Sequence, residues 1–189
     1  STITAGTFPE RITRLLLIEG LGPLAKSAEE APDILSESVE LWQAFPKKRM
    51  PQYVSENVAV AARMNVNDMA ESSVRALVQR NLCPQGERFT WRTDPRLKVH
   101  SRVYLTEAQV CAFLANLRMP TLLITGKHSA LREWLDLIHS RIALVPTLEH
   151  VELNGGHHLH LDHPEPVAEA LRQFLFRHPF ISEHSLHLS

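Results

Sequence analysis

What this 189-residue chain has little of narrows its class before any motif is read. It has two cysteines, Cys83 and Cys111, too far apart for any metal-binding or redox spacing, so neither a disulfide framework nor a thiol centre is expected. Both read as buried thiols in a reducing compartment. An excess of one charge is also missing. Twenty basic and 21 acidic residues leave a formal net charge of -1, which gives no electrostatic basis for binding nucleic acid or an anionic membrane. No stretch approaches the roughly 18 consecutive apolar residues of a membrane span, and no signal peptide is visible. A cytoplasmic protein is therefore expected. Repeats and low-complexity tracts are absent as well, and so is an initiator methionine. The first residues, Ser1-Thr2-Ile3-Thr4, therefore follow processing, a cloning boundary or an earlier part of a longer gene product.

What is present is ordinary for a globular protein: 44% hydrophobic and 22% charged residues, enough for one core or a core with a small appendage. Residues 2–8 read as the tail of a helix, and Phe8-Pro9-Glu10-Arg11 as a turn. Arg14 to Pro23 holds a short continuous apolar run closed by glycines and proline, which predicts a strand buried on both faces. From about 29 to 82 the period is helical. Leu35, Val39, Trp42 and Phe45 form one stripe, Val54, Val58, Ala61 and Ala62 a second, and Val74, Leu77 and Val78 a third. Residues 86–102 are polar and read as irregular. A further helix begins near Thr106, with Val110, Phe113, Leu114 and Leu117 as its apolar face. Pro120 to Gly126 and His150 to Gly156 predict two more strands ending on glycine. A helix from about Ala130 to Val145 separates them, and an amphipathic helix opened by Pro164 follows. Strands alternating with helices predict an α/β protein with a doubly wound sheet. Three strands would leave the innermost with an unpaired edge, so the sheet is expected to pack against more polypeptide.

Ligands of such sheets sit beyond the carboxyl ends of the strands, which selects the loops Glu19–Pro23, Gly126–Ala130 and Gly155–His160. The third reads Gly155-Gly156-His157-His158-Leu159-His160-Leu161-Asp162-His163-Pro164. A strand ending in Gly-Gly-His, then proline and a terminal amphipathic helix, resembles the histidine loop of α/β-hydrolases. Pro120-Thr121-Leu122-Leu123-Ile124-Thr125-Gly126 resembles that fold's penultimate strand, and Ser1 to Ile12 the helix and turn after its nucleophile elbow. Phe89 to Leu97 is similar to the cap-to-core return of the serine hydrolase-like subgroup. The resemblance implies the C-terminal half of a doubly wound α/β-hydrolase sheet carrying a helical cap insert. Its parts would be a core segment at 1–22, the cap at 23–117, the C-terminal core at 118–178 and a tail at 179–189.

The resemblance makes His157 the catalytic base, an imidazole that takes a proton and returns it to a leaving group. The glycines before it allow the tight turn. His158 and His160 read as supporting or surface residues. No helical i, i+4 histidine pair with a carboxylate suggests a metal, and no cofactor is implied. The usual acid position after the penultimate strand holds Ser129, which cannot balance an imidazolium. Some relatives place the acid after the preceding core strand, which makes Glu19 the candidate here, with Asp136 in reserve. A carboxylate ending an apolar strand pays a desolvation penalty unless it has a partner. No G-x-S-x-G nucleophile motif occurs, and Ser1 lies in a helical pattern, so the nucleophile is expected upstream and this stretch alone is expected to be inactive.

Three functions remain open at this stage. The first is hydrolysis of a small ester or related carbonyl substrate through a nucleophile–His–acid triad. The second is dehalogenase- or epoxide-hydrolase-like chemistry with an aspartate nucleophile. The third is non-catalytic ligand binding, which Ser129 in the acid position favours. Trp42, Phe45, Met50, Tyr53, Met64 and Met69 could line an apolar pocket in the cap. The expected partners are a small-molecule substrate and the N-terminal half of the fold.

Overall fold

The computed structural model describes residues 1–45, 50–129 and 134–180. They form two compact units, one made of Ser1–Pro23 with the chain from Ala108 onward, the other of Leu24–Glu107. The last nine residues of the expected tail lie outside the described part.

The first unit is built on a parallel sheet. Strand β1 (Leu15–Ile18) pairs with β4 (Thr121–Gly126), and β4 pairs with β5 (Leu148–Leu153), in the order β1-β4-β5. All six residues of β4 are buried, as a central parallel strand covered on both faces requires. β1 departs from the expected burial on both faces. Leu15 and Leu17 are buried, whereas Leu16 and Ile18 are 39% and 37% exposed. Its outer edge carries no partner strand among the described residues.

Helix α1 (Thr2–Thr7) buries Thr2, Ala5 and Gly6, and a short 3-10 turn over Pro9–Arg11 leads into β1. Helix α5 (Glu107–Ala115) buries Val110 and Leu114. A Cβ at Gly6 would run into the backbone carbonyl of Phe113, and Asn116 donates to the Gly6 carbonyl at 2.7 Å, so α1 and α5 meet backbone to backbone. Helix α6 (Leu135–Ile142) forms part of the helix expected from Ala130, whose first residues lie outside the described part. A four-residue helix, α7 (Leu159–Asp162), precedes α8 (Pro164–Arg177). Val167 and Phe174, two turns apart on α8, pack with Leu159 against Leu122 and Ile124 of β4.

The second unit contains α2 (Ala31–Ala44), α3 (Glu56–Met64), α4 (Glu71–Asn81) and an antiparallel hairpin of β2 (Leu82–Gln85) and β3 (Arg88–Trp91). The hairpin corrects the expectation of irregular chain after Gly86. Its loop is the pair Gly86-Glu87, and Gly86 sits at φ 63°, where a residue without Cβ is favoured. Tyr53 pairs with Phe89 and accepts a hydrogen bond from the Trp91 indole at 3.0 Å.

The core here is Ala59, Val60, Met69, Val74, Val78 and Leu82. Two expected stripes are thereby corrected. On α3 the buried face is Ala59 and Val60, while Val58 is exposed; on α2 only Ser38 is buried, and Leu35, Val39 and Trp42 are exposed. The segment's two ends are tied together by a bond from the Lys26 amide to the Leu105 carbonyl, 3.0 Å. Both cysteines are half-buried rather than buried, and neither is in a disulfide. Among the described residues no helix is long and apolar enough to cross a membrane.

Candidate active site

Because β1, β4 and β5 run in parallel and in register, the residues that leave their carboxyl ends reach one rim. Glu19 leaves β1 there. Its amide still donates to the Ile124 carbonyl at 2.9 Å, and then its backbone turns into the left-handed region at φ 58°. It is the one non-glycine residue with positive φ among the described residues. Glutamate holds such a conformation at a cost, so the surrounding structure must impose it.

The Glu19 side chain is 3% exposed, and three donors converge on its carboxylate. The Gly126 amide reaches Oε1 at 2.5 Å, while the Ser129 hydroxyl and His157 Nδ1 both reach Oε2, the latter at 3.0 Å. The partners that a buried carboxylate requires are therefore present. One donor comes from each of the two loops that follow β4 and β5, and one from the end of β4.

Those loops are pressed together at glycines. A Cβ on Gly126 would lie 2.5 Å from the Gly155 carbonyl oxygen and 2.7 Å from that of Gly156. Gly155 itself is at φ 144°, and a Cβ there would lie 2.9 Å from Cβ of Leu159. The His128 amide donates to the Gly155 carbonyl at 3.0 Å, which locks the β4 loop to the histidine loop.

His157 has a half-exposed side chain. With Nδ1–H donating to Glu19, the imidazole is the tautomer whose Nε2 carries a lone pair. Among the described residues no hydrogen bond is made to Nε2. An imidazole buttressed on one nitrogen and open on the other can act as a general base. His158 stands edge-on to His157 with ring centroids 5.0 Å apart, and His160 is exposed. Asp136 is exposed in the first turn of α6. No group of three or more metal-ligating side chains forms among the described residues.

The sequence brought Glu19 and His157 forward, but it read Ser129 only as a missing acid and gave Gly126 no role. The signal for both was in the same loop, since a buried acid needs donors and the nearest stretch begins with a glycine amide and ends with a hydroxyl.

Several solved structures resemble this chain. The hypothetical protein PA1622 of Pseudomonas aeruginosa superposes with a TM-score of 0.84 at 35% identity, over 94% of this chain and 63% of that one. The thioesterase domain of the curacin biosynthetic pathway follows at 0.73 and 22% identity, over 91% and 62%. E-2-(acetamidomethylene)succinate hydrolase shares the fold at 0.68 and 14% identity, over 93% and 62%. The chain has the α/β-hydrolase fold.

Two curated relatives match most of this chain. A serine hydrolase-like protein of Dictyostelium discoideum is 22% identical over 96% of this chain and 54% of its own length. A Drosophila melanogaster protein named "Probable serine hydrolase" is 25% identical over 90% and 55%. The chain thus spans about half the length of the curated relatives it matches. No family model matches it.

Proposed function

We propose that the protein carrying this chain hydrolyses a small ester, thioester or related carbonyl compound through a nucleophile–His157–Glu19 relay. The nucleophile belongs to sequence outside these 189 residues, so in this reading the stretch alone does not turn over substrate. The nucleophile attacks the carbonyl carbon as His157 Nε2 removes its proton. Glu19 balances the imidazolium, which returns the proton to the departing group. His157 then takes a proton from water as the water attacks the acyl intermediate, and gives it to the nucleophile as the acid leaves. The observation that carries this reading is the 3.0 Å contact between a buried carboxylate and an imidazole whose second nitrogen is open. The names of the relatives, serine hydrolases and a thioesterase domain among them, favour serine as nucleophile and an acyl group as substrate.

The same acid position, after β1 rather than after β4, suits an aspartate nucleophile acting on halides or epoxides, which is the second reading. A non-catalytic site loses its motive, because a carboxylate stands beside His157 despite Ser129 in the usual acid position. The Leu24–Glu107 unit is assigned the part of a cap. It contains a cavity of about 180 Å³ whose lining mixes apolar Met50, Leu77 and Trp91 with polar Asn81 and charged Arg63 and Asp94. A small-molecule substrate and the N-terminal half of the fold are the partners this requires. A reducing, cytoplasmic setting accords with two cysteines outside any disulfide.

Labelling by a fluorophosphonate probe tests the reading. The intact protein should label, and His157→Ala should abolish labelling. Labelling of residues 1–189 by themselves would overturn the placement of the nucleophile, and an intact protein that stays unlabelled but turns over a haloalkane or epoxide would select the second reading.

A further inference from the structure

Ser129 has no part in the relay just described, yet its environment is that of a working group. The residue is 3% exposed, and its hydroxyl meets Oε2 of Glu19, the same oxygen that receives His157 Nδ1–H. An ionised carboxylate only accepts, so the hydroxyl donates. The loop that carries it is fixed at both ends. The Ser129 amide donates to the Gly126 carbonyl at 3.1 Å, and Gly126 donates to the other carboxylate oxygen.

The last torsion of a glutamate side chain is broad and poorly set by sterics. A single donor on Oε1 would leave Oε2 free to swing off the imidazole. The hydroxyl closes that freedom, because a planar carboxylate gripped at both oxygens can present only one edge to Nδ1. The left-handed backbone of Glu19 aims the side chain inward, and Ser129 fixes where it ends.

We infer that Ser129 is a positioning residue. Its hydroxyl holds Glu19 Oε2 in line with His157 Nδ1 and so keeps Nε2 oriented as the base. The inference rests on the relay proposed above.

The test uses the intact protein with p-nitrophenyl acetate as substrate, and the low-field proton resonance of His157 Nδ1–H, assigned by its loss in His157→Gln. Ser129→Ala should lower kcat about tenfold or more while KM stays within about twofold, and should shift or broaden that resonance. Ser129→Cys keeps the volume but donates weakly, and should behave like the alanine variant even if the latter folds poorly. Ser129→Thr keeps the hydroxyl and should restore both readouts. A role confined to packing would change thermal stability and leave the resonance where it was. The resonance unchanged in Ser129→Ala and Ser129→Cys but lost in Glu19→Gln would overturn the role of Ser129 alone. Its persistence in Glu19→Gln would instead overturn the Glu19–His157 pair.

Discussion

Glu19 combines three properties that a residue on a protein surface rarely has together: a left-handed backbone, an almost fully buried carboxylate, and donors on both oxygens. The first two are unfavourable alone and the third offsets the burial; together they make sense if the charge is wanted opposite an imidazolium. Replacing Glu19 by Gln preserves the shape but offers an amide where an anion stood, which favours the wrong imidazole tautomer. Turnover of an ester by the intact protein is expected to fall about a thousandfold or more, and near-normal rates would reject the assignment. Sequence reasoning reached Glu19 because a lone acid at the end of an apolar strand is conspicuous. It did not reach its positive φ, which depends on loops more than a hundred residues away.

Asp94 shows the same physics on a surface. The Arg96 side chain and then its amide hydrogen-bond the carboxylate and pull it from an ordinary 3.8 to about 2, capping a 3-10 turn at Pro95–Lys98. A group lowered on folding stabilises the folded state above its ordinary value, and that contribution is lost as pH falls through the lowered one. Acid unfolding followed by circular dichroism should therefore show less pH dependence between about pH 4 and 2 in Asp94→Asn than in the parent. Identical curves would show that the cap contributes nothing measurable.

At the level of elements, the strands were legible where burial dictated composition. β4 reads as one apolar run because both its faces are covered, and β5 is recognisable by the glycines that close it. The helices were legible as helices, and α4 and α5 bury the stripes that their spacing marks, whereas α2 and α3 do not. The stripe of Leu35, Val39 and Trp42 fits a buried face by spacing, yet those residues are exposed and Ser38 is the buried one. Periodicity reports an apolar side without saying what it meets. The β2–β3 hairpin went unseen because its strands carry Pro84, Gln85 and Arg88, residues with little strand preference. Its register comes from Gly86 and from the pairing of Tyr53 with Phe89.

The meeting of the β4 and β5 loops makes a prediction at this scale. Gly126→Ala would place a methyl against two backbone carbonyls that cannot move independently, so the loops must part. A cost of about 1–3 kcal/mol in urea unfolding is expected, together with a loss of activity larger than the unfolded fraction explains. Unchanged stability would mean that the loops are looser than their spacing implies.

On the scale of the whole molecule, β1 carries an open edge among the described residues. Leu15 donates to Pro120, just before β4, and Glu19 to Ile124 within it, so by the alternation of a parallel ladder the amides of Leu16 and Ile18 point away from β4. Leu16 and Ile18 are also exposed apolar residues, and the curated relatives are nearly twice as long as the matched stretch. A further parallel strand on this edge would bond the two amides. Hydrogen exchange in the intact protein should then be slow at Leu16 and Ile18, as slow as at Leu123 in the middle of β4. Rapid exchange at both would place the rest of the protein elsewhere.

The tie between Lys26 and Leu105 has a consequence for how this architecture can be edited. A stretch of some eighty residues leaves the chain and rejoins it at nearly the same point, so its removal opens a gap that a few glycines and serines can close. A lineage, or an engineer, can exchange the whole module for another of different size and lining without re-registering a single strand of the parallel sheet.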